Sequence, residues 1–525
     1  MDKNNKPTFY WYDFETFGLN KRTDRPAQFA GIRTDMAFNP VGRGDLLYAR
    51  PAADYLPNPA SCLITGITPQ VCEEKGVAES EFAGAVWDRF NQPGTVSIGY
   101  NTLGFDDEVS RFLFWRNFLD PYAHQWKNGC SRWDIYPLTC AVWSLRGSGL
   151  VWPLWKDISP KAEEEGRRGV CFKLEHLSRA NGIVHRHAHD AFSDVEATLG
   201  LAKLIAEKEP RLWKWAFENR SKAKVKAALE SGGPVLWVSP RFGQARGFAA
   251  IAAMISPNPV KPNEVFMWDL SRDPDEIVRM TSEELKSRLF VRRDALPEGT
   301  APLPVYRLAI NSSPFICANL RVLPADRAAR YGISPEQCLA NFEKLQRSLP
   351  LIQSALSVWA EGQERPKPSD PDFGLYDGGF ASDADRSTMA AVRRSSPETL
   401  AELAGSGRLT FDDERFTELL FRFRARNWPE TLGAEETARW RRFCSERLIE
   451  GRDGLPTVSD FFDEIDRLQE KTAFFDRNAV CVNDDGSMLY HRYGCARLEP
   501  DQCRIYSRKT AEAGGYEPCP DCFGS

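Results

Sequence analysis

Asp13 and Glu15 stand two residues apart in the aromatic run Phe9-Tyr10-Trp11-Tyr12-Asp13-Phe14-Glu15-Thr16-Phe17-Gly18. Such a composition suits a half-buried β-strand, and side chains alternate along a strand, so both acids point to one face. Two adjacent carboxylates repel each other unless a cation lies between them, and hard divalent ions such as Mg²⁺ take oxygen ligands. Alone, Asp-x-Glu reads equally as an edge strand with two solvated acids. More acids follow in chain order. Phe105-Asp106-Asp107-Glu108 opens a helix whose apolar face is Phe105, Val109, Phe112 and Leu113. Acids in that first turn suit the positive end of the helix dipole, and a third metal-ligand carboxylate has to come from such a place. His185 to Glu196 then leads into a helix through Leu199, Ala202 and Ile205. Helical residues five apart diverge by about 140°, so His189 and Asp194 converge more easily with His189 in the loop ahead of the helix. Four carboxylates and one histidine suffice for a two-metal phosphodiester hydrolase, the histidine taking the proton of the attacking water.

A second group of chemically capable residues closes the sequence. Five of the thirteen cysteines fall within the last 45 residues, while the other eight are scattered and read as reduced core residues. His491 and Cys495, then Cys519 and Cys522, make His-x3-Cys and Cys-x2-Cys, four ligands for one tetrahedral Zn²⁺. Cys481 and Cys503 are spare, and Cys503 is the alternative ligand. So small a unit lacks a core of its own, and the metal supplies its stability. Its five basic and seven acidic residues argue against a strong grip on phosphates.

At 525 residues the chain calls for several domains. Its 42% hydrophobic and 27% charged residues describe an ordinary globular protein, and no apolar run approaches the length of a membrane span. With no signal pattern at its start, the reading is a cytoplasmic protein without membrane association. A formal charge of −5 neither requires nor excludes a nucleic-acid substrate. Strands are expected near Phe29–Thr34, Thr95–Asn101, Val235–Val238 and Val265–Leu270, and helices over Glu81–Phe90, Leu174–Ala180, 324–360 and 383–475. Leu63–Pro69 reads as a strand end or loop, and 361–379 as a linker or long loop. Basic and aromatic residues alternate over Pro210–Ser231, as an amphipathic surface helix or a phosphate-contacting ridge.

Residues 9–475 resemble the bacterial exodeoxyribonuclease I family of DnaQ-like (DEDDh) 3′–5′ exonucleases. The likeness rests on Asp13-Phe14-Glu15-Thr16-Phe17-Gly18, Asp24-Arg25-Pro26-Ala27-Gln28-Phe29, Leu63-Ile64-Thr65-Gly66-Ile67-Thr68-Pro69, Gly99-Tyr100-Asn101 with Phe105–Glu108, and Ala188-His189-Asp190-Ala191. Phe380–Arg386 and Arg424-Ala425-Arg426-Asn427 extend it. The resemblance implies a multidomain α/β chain: an RNase H-like exonuclease domain (1–205), an SH3-like β-domain (206–355) and a helical C-terminal domain (356–477), closing around single-stranded DNA. It implies that Asp13, Glu15, Asp106 and Asp194 bind two Mg²⁺ ions, with Mn²⁺ as substitute, and that His189 is the general base. Asp106 is preferred to Asp107 by motif position. Thr16, Phe17, Leu63, Thr65 and Gly66 look like the residues that hold the 3′-terminal nucleotides. The implied reaction is processive 3′–5′ release of 5′-mononucleotides from single-stranded DNA by a monomer, with single-strand-binding protein as a further partner. A strand clamp with little hydrolysis, or an exonuclease on RNA or short oligonucleotides, would use the same residues. Two features depart from the family: a longer loop at 153–171, and the added zinc module (478–525). The module resembles that of the Ada DNA-repair protein, with His491 in place of a cysteine that accepts methyl groups there. A structural or DNA-binding role follows for it, with a protein contact left open.

Overall fold

The computed structural model describes residues 6–523 apart from 186–189, 279, 292–294, 298, 362–369, 471–478, 484–485, 493–494 and 499–502. At its centre is strand β1 (Thr8–Thr16), the middle of a five-stranded sheet ordered β3–β2–β1–β4–β5. β2 (Pro26–Thr34) and β3 (Asp45–Tyr48) extend it antiparallel on one side. β4 (Thr95–Gly99) and β5 (Ser131–Asp134) extend it parallel on the other. The two-residue period sorts the aromatic run: Phe9 and Trp11 enter one core cluster, Tyr10, Tyr12 and Phe14 the other. Asp13 and Glu15 therefore continue the Phe9–Trp11 face.

Between β3 and β4 come helices α1 (Pro59–Thr65), α2 (Pro69–Lys75) and α3 (Glu79–Asn91). The expected strand end or loop around Leu63 is thus a helix. Its ends carry ordinary signals: the Asn58 side chain accepts from Ser61 N, Pro59 opens the first turn, and Gly66 leaves it at φ 71°. After β4 comes α4 (Asp106–Arg116), and after β5 come α5 (Tyr136–Leu145), α6 (Trp155–Ile158), α7 (Leu174–Ala180) and α8 (Ala191–Lys208). The basic, aromatic stretch forms α9 (Pro210–Asn219) and α10 (Lys222–Glu230). Trp213 lies with its ring 4.7 Å from that of Trp133, so the aromatic half of the stretch is core, while Lys214, Lys222 and Lys224 remain exposed.

A second sheet, entirely antiparallel, is ordered β10–β6–β7–β8–β9. Its strands are β6 (Val235–Val238), β7 (Ala249–Pro257), β8 (Glu264–Asp269), β9 (Val305–Ala309) and β10 (Phe315–Cys317). Helices α11 (Asp275–Val278) and α12 (Ser282–Arg288) lie between β8 and β9. α13 (Ala325–Arg330) and the long α14 (Pro335–Glu361) follow the sheet. The helical part is α15 (Asp383–Arg394), α16 (Pro397–Gly405), α17 (Glu414–Asn427), α18 (Ala434–Leu448) and α19 (Val458–Glu470). It is joined to the first sheet's domain in two ways. Phe112, Trp115 and Phe118 share a core with Phe416, Leu419 and Phe423. Arg422 and Arg426, one turn apart on α17, and Arg447 on α18 meet Asp54, Asp370 and Asp372 in a fully buried network. Arg422 and Arg426 of α17 thus serve an internal junction. The chain ends in a small sheet ordered β13–β11–β12–β14, made of β11 (Ala479–Asn483), β12 (Leu489–His491), β13 (Cys503–Ser507) and β14 (Glu517–Pro518), with helix α20 (Arg508–Ala513).

Candidate active site and a sulfur-rich cluster

Three elements bring acids to one place. β4 accompanies β1 only from Thr8 to Trp11, so beyond that point the flank of β1 is open to the start of α4. There the Phe14 backbone N–H donates to Asp106 Oδ1 at 3.2 Å, the carboxylate taking a strand-edge donor. α8 crosses the Phe9–Trp11 face. Its first residue is tied to β2 by Ala191 N donating to Gln28 Oε1 at 3.0 Å, and Gln28 is the register partner of Glu15. Asp190 caps the helix by accepting from Phe192 N, and Asp194 follows one turn in, over the strand acids. One oxygen each from Asp13, Glu15 and Asp194 lie within 4.8 Å of one another.

The crowding is visible in proton affinities. Burial first, then the charges of Asp106, Asp194, Glu15 and Asp190, push the Asp13 carboxyl well above the usual range. Burial and the charges of Asp194, Asp106 and Asp190 raise Glu15 to about 8. Asp106 also rises to about 8, because burial and the neighbouring Asp107 and Asp134 outweigh its own and Phe14's backbone N–H groups. Asp13, Glu15 and Asp194, with the charge of Asp106 felt by the first two, carry charge that a cation would neutralise, and all their donors are hard oxygens. Asp107 is engaged elsewhere: it accepts from Tyr12 Oη at 2.7 Å and pairs with the buried Arg132, and although burial pushes its carboxyl up, Arg132, Arg111, His124 and the Tyr12 hydroxyl together hold it low.

His189 lies outside the described residues. A histidine that sequence reasoning passed over, His185, sets Nε2 2.8 Å from Asp194 Oδ1, off the direction of a hydrogen bond. The signal available for it was the clustering of three histidines just ahead of α8. Of the residues expected to hold the 3′ terminus, two have buried apolar side chains. Phe17 (1% exposed) packs on Ala27, Cys62 and Ile67, and Leu63 (6%) on Leu468 and Cys481, so both side chains are core. Thr16 Oγ1 donates to Gly18 O at 2.6 Å, and Thr65 Oγ1 to Ser61 O at 3.1 Å. The exposed side chain of that segment is Ile64, at 52%.

The C-terminal ligand candidates also converge. His491, Cys495, Cys519 and Cys522 offer ligand atoms all within 4.8 Å of one another, and His491 Nδ1 lies 3.4 Å from Cys495 Sγ. Two strands of the small sheet bring them there, since His491 ends β12 and Cys519 follows β14, which runs parallel to it. The Arg492 backbone N–H donates to Cys522 Sγ at 3.3 Å, but burial and the neighbouring Cys495 and Cys519 outweigh that contact and push the thiol up to about 12, so a thiolate there calls for a cation. Three sulfurs and an imidazole fit a soft or borderline ion.

Known proteins share this architecture. The exonuclease family matches residues 10–202, the exonuclease I SH3-like domain 220–361, and the exonuclease I C-terminal domain 369–482. The His491–Cys522 cluster lies beyond all three ranges. Exodeoxyribonuclease I of Haemophilus influenzae is 38% identical over 84% of this chain and 90% of its own length; that of Escherichia coli is 40% identical over 84% and 89%. The crystal structure of E. coli exonuclease I in complex with a dA16 oligonucleotide superposes with a TM-score of 0.81 at 38% identity, covering 90% of this chain and 96% of that one. At these identities over most of both chains, this chain belongs to the exodeoxyribonuclease I family.

Proposed function

We propose that this chain is a 3′–5′ exodeoxyribonuclease that hydrolyses single-stranded DNA processively to 5′-mononucleotides. The observation that carries the reading is the convergence of Asp13, Glu15 and Asp194 beside Asp106. The solved relative bound to a single-stranded oligonucleotide supports the substrate class. Asp13, Glu15, Asp106 and Asp194 would hold two Mg²⁺ ions, with Mn²⁺ able to replace them. When bound, such ions supply the positive charge that lowers the pKa of the attacking water and offsets the charge developing on the leaving 3′ oxygen.

The chain's own residues do the rest. Asp106, held by the Phe14 N–H, and Asp194, one turn into α8, fix the far walls of the site, while Asp13 and Glu15 form its floor. His189, four residues past His185 and five before Asp194, takes the proton of the attacking water. His185 steadies Asp194 from the loop side. Ile64, Thr65, Gly66 and Thr16 frame the terminal nucleotide, with aromatic stacking supplied elsewhere along the strand.

The exonuclease unit is taken as 1–205, the SH3-like unit as 206–355, the helical unit as 356–477 and the metal module as 478–525, with Zn²⁺ on His491, Cys495, Cys519 and Cys522. A monomer is proposed with this site, to be checked by light scattering. The eight cysteines outside the module, none of them in a disulfide, support a reducing, cytoplasmic setting, and no described helix is long and apolar enough to cross a membrane. The family likeness extends the proposal to single-strand-binding protein as a partner, which co-purification with the tagged chain would check.

The deciding experiment follows 3′- and 5′-labelled single strands with Mg²⁺, wild type beside Asp13→Ala and His189→Ala. Progressive loss from the 3′ end, absent in both variants, is the expected result. A wild type that binds the strand and leaves it whole would refute the reading, and matched RNA strands test the substrate class.

A further inference from the structure

Helix α1 is held from two sides. Cys62 and the following Ile67 pack on Phe17, immediately beyond the strand end that carries Glu15. The Asn58 backbone N–H donates to the Phe17 carbonyl at 2.8 Å, tying the start of α1 to the same point. Ala60 and Leu63, one turn apart on another face, pack on Leu468 of α19 and on Cys481, Leu498 and Cys503 of the C-terminal module. At the end of the helix, a Cβ placed on Gly66 would stand 3.7 Å from Thr510 Oγ1 and 3.9 Å from Ser507 Oγ. Ser507 is the N-cap of α20, accepting from Thr510 N at 3.0 Å. The faces bearing Cys62 and Leu63 are therefore covered. Ile64, a further 100° round the helix, is not.

The sulfur-rich cluster ties together the strands that form this seat. His491 is the register partner of Cys481, which itself packs against Leu63. Cys519 follows β14, alongside β12. β13, paired with β11, supplies Cys503 and runs directly into α20. Among the described residues the module's own buried apolar core is slight: Val480, Val482, Tyr490 and Ala511, with Tyr506, Tyr516 and Phe523 partly buried around them. A sheet of this size with so small a core keeps its shape through cross-links such as a bound metal.

We propose that the metal centre of His491, Cys495, Cys519 and Cys522 is a positioning device for the exonuclease site. The bound ion sets the small sheet, the sheet seats α1 through Ala60, Leu63 and Gly66, and α1 in turn fixes the Thr16–Phe17 strand end that receives the 3′ terminus. The inference rests on the exonuclease reading above. Its sign is definite: the module supports α1 from the faces turned away from Ile64, so loosening it weakens capture of the strand end and leaves the acids in place. A module that capped the site would produce the opposite change.

The test uses the full-length chain with its native metal content, measured by elemental mass spectrometry. Rates are taken on 3′-labelled single-stranded DNA at saturating Mg²⁺. The double variant Cys519→Ser/Cys522→Ser removes two ligands. Thr510→Arg wedges a bulky side chain opposite Gly66 without touching a ligand, so it decides the matter even where the double variant fails to fold. His491→Cys keeps a four-ligand set as the conservative control. About one zinc ion per chain is expected in the wild type, Thr510→Arg and His491→Cys, and none in the double variant. KM for the strand should rise about tenfold in the double variant and in Thr510→Arg, with kcat held within about twofold and His491→Cys like the wild type, the pattern of lost ground-state capture. An active wild type whose KM is unchanged or lowered by Thr510→Arg overturns this inference alone. A wild type that binds the strand without cutting it overturns the exonuclease reading and this inference with it.

Discussion

Glu15→Gln keeps the shape of the side chain and removes its charge, and its effect on stability should change with pH and with Mg²⁺. Glu15 rises from the ordinary 4.5 to about 8 in the folded chain. At ~1.4 kcal/mol for each tenfold change in proton affinity, ionising it there costs about 5 kcal/mol as a ceiling. Glu15 shares its protons with Asp13 and Asp106, whose carboxyls are raised as well, so about 2 kcal/mol is the working figure for Glu15 alone. Because the folded value is the raised one, the protonated acid stabilises the fold fully below about pH 4.5. That contribution drains away as pH climbs through about 8. Without divalent ions the wild-type unfolding midpoint should therefore fall over this window, and that of Glu15→Gln should fall less. At pH 8 the variant should unfold about 4–8 °C higher, and near pH 5 the two should coincide. Mg²⁺ at pH 8 should raise the wild-type midpoint and move the variant far less, while the variant loses hydrolysis. Scanning calorimetry on desalted protein with and without Mg²⁺ at both pH values reads all of this. A variant less stable than the wild type at pH 8 without Mg²⁺, or one with an undiminished Mg²⁺ response, would refute the argument that these acids are held together for a cation.

Other outcomes follow from single contacts. Asp106→Asn should reduce strand cleavage by at least about a hundredfold, the upper range for losing even an outer partner of a metal ligand. Asp107→Asn instead leaves the buried Arg132 without its anion, so it should cost about 3 kcal/mol in urea unfolding and spare kcat in the protein that remains folded. Arg426→Ala should destabilise the chain by about 3–5 kcal/mol. Asp54 and Asp372 are buried, and the charges of Arg426 and its neighbouring arginines outweigh that burial to hold both carboxyls low. Stability from that pair is present above about pH 4 and is lost as pH falls below it, so acid unfolding of Arg426→Ala should be shallower than that of the wild type. Gly18→Ala would drive a methyl group into the Asp24 carboxylate, which already accepts from Asn20 N at 2.8 Å and Tyr55 Oη at 2.9 Å. A loss of about 1–3 kcal/mol and a raised KM are expected, measured by melting and by initial rates.

Whatever depends on local period and residue chemistry was legible in the amino-acid sequence. Alternation along a strand put Asp13 and Glu15 on one face, and the apolar spacing from Phe105 to Leu113 put the next acids at a helix start. The spacing His491-x3-Cys495 and Cys519-x2-Cys522 announced a four-ligand cluster whatever fold surrounds it. The ends of helix α1 are legible too, in the cap signals Asn58-Pro59 and Gly66, although the run Leu63-Ile64 reads as a strand end. What the chain's local pattern does not contain is which partner a side chain meets across long separations. Asp106 and Asp107 are identical to any local rule; only the open flank of β1 turns one to Phe14 and the site, and only Arg132, 25 residues on, claims the other. The arginines of α17 carry no local sign of their partners, since Asp54 lies 372 residues away from Arg426. Phe17 and Leu63 have the composition of a base-stacking surface, but packing buries them, one under α1 and the other under a module more than 400 residues further along the chain. Periodicity is set by each residue's immediate backbone geometry, whereas burial and charge pairing are set by which elements the whole chain folds together, and no local rule carries that information.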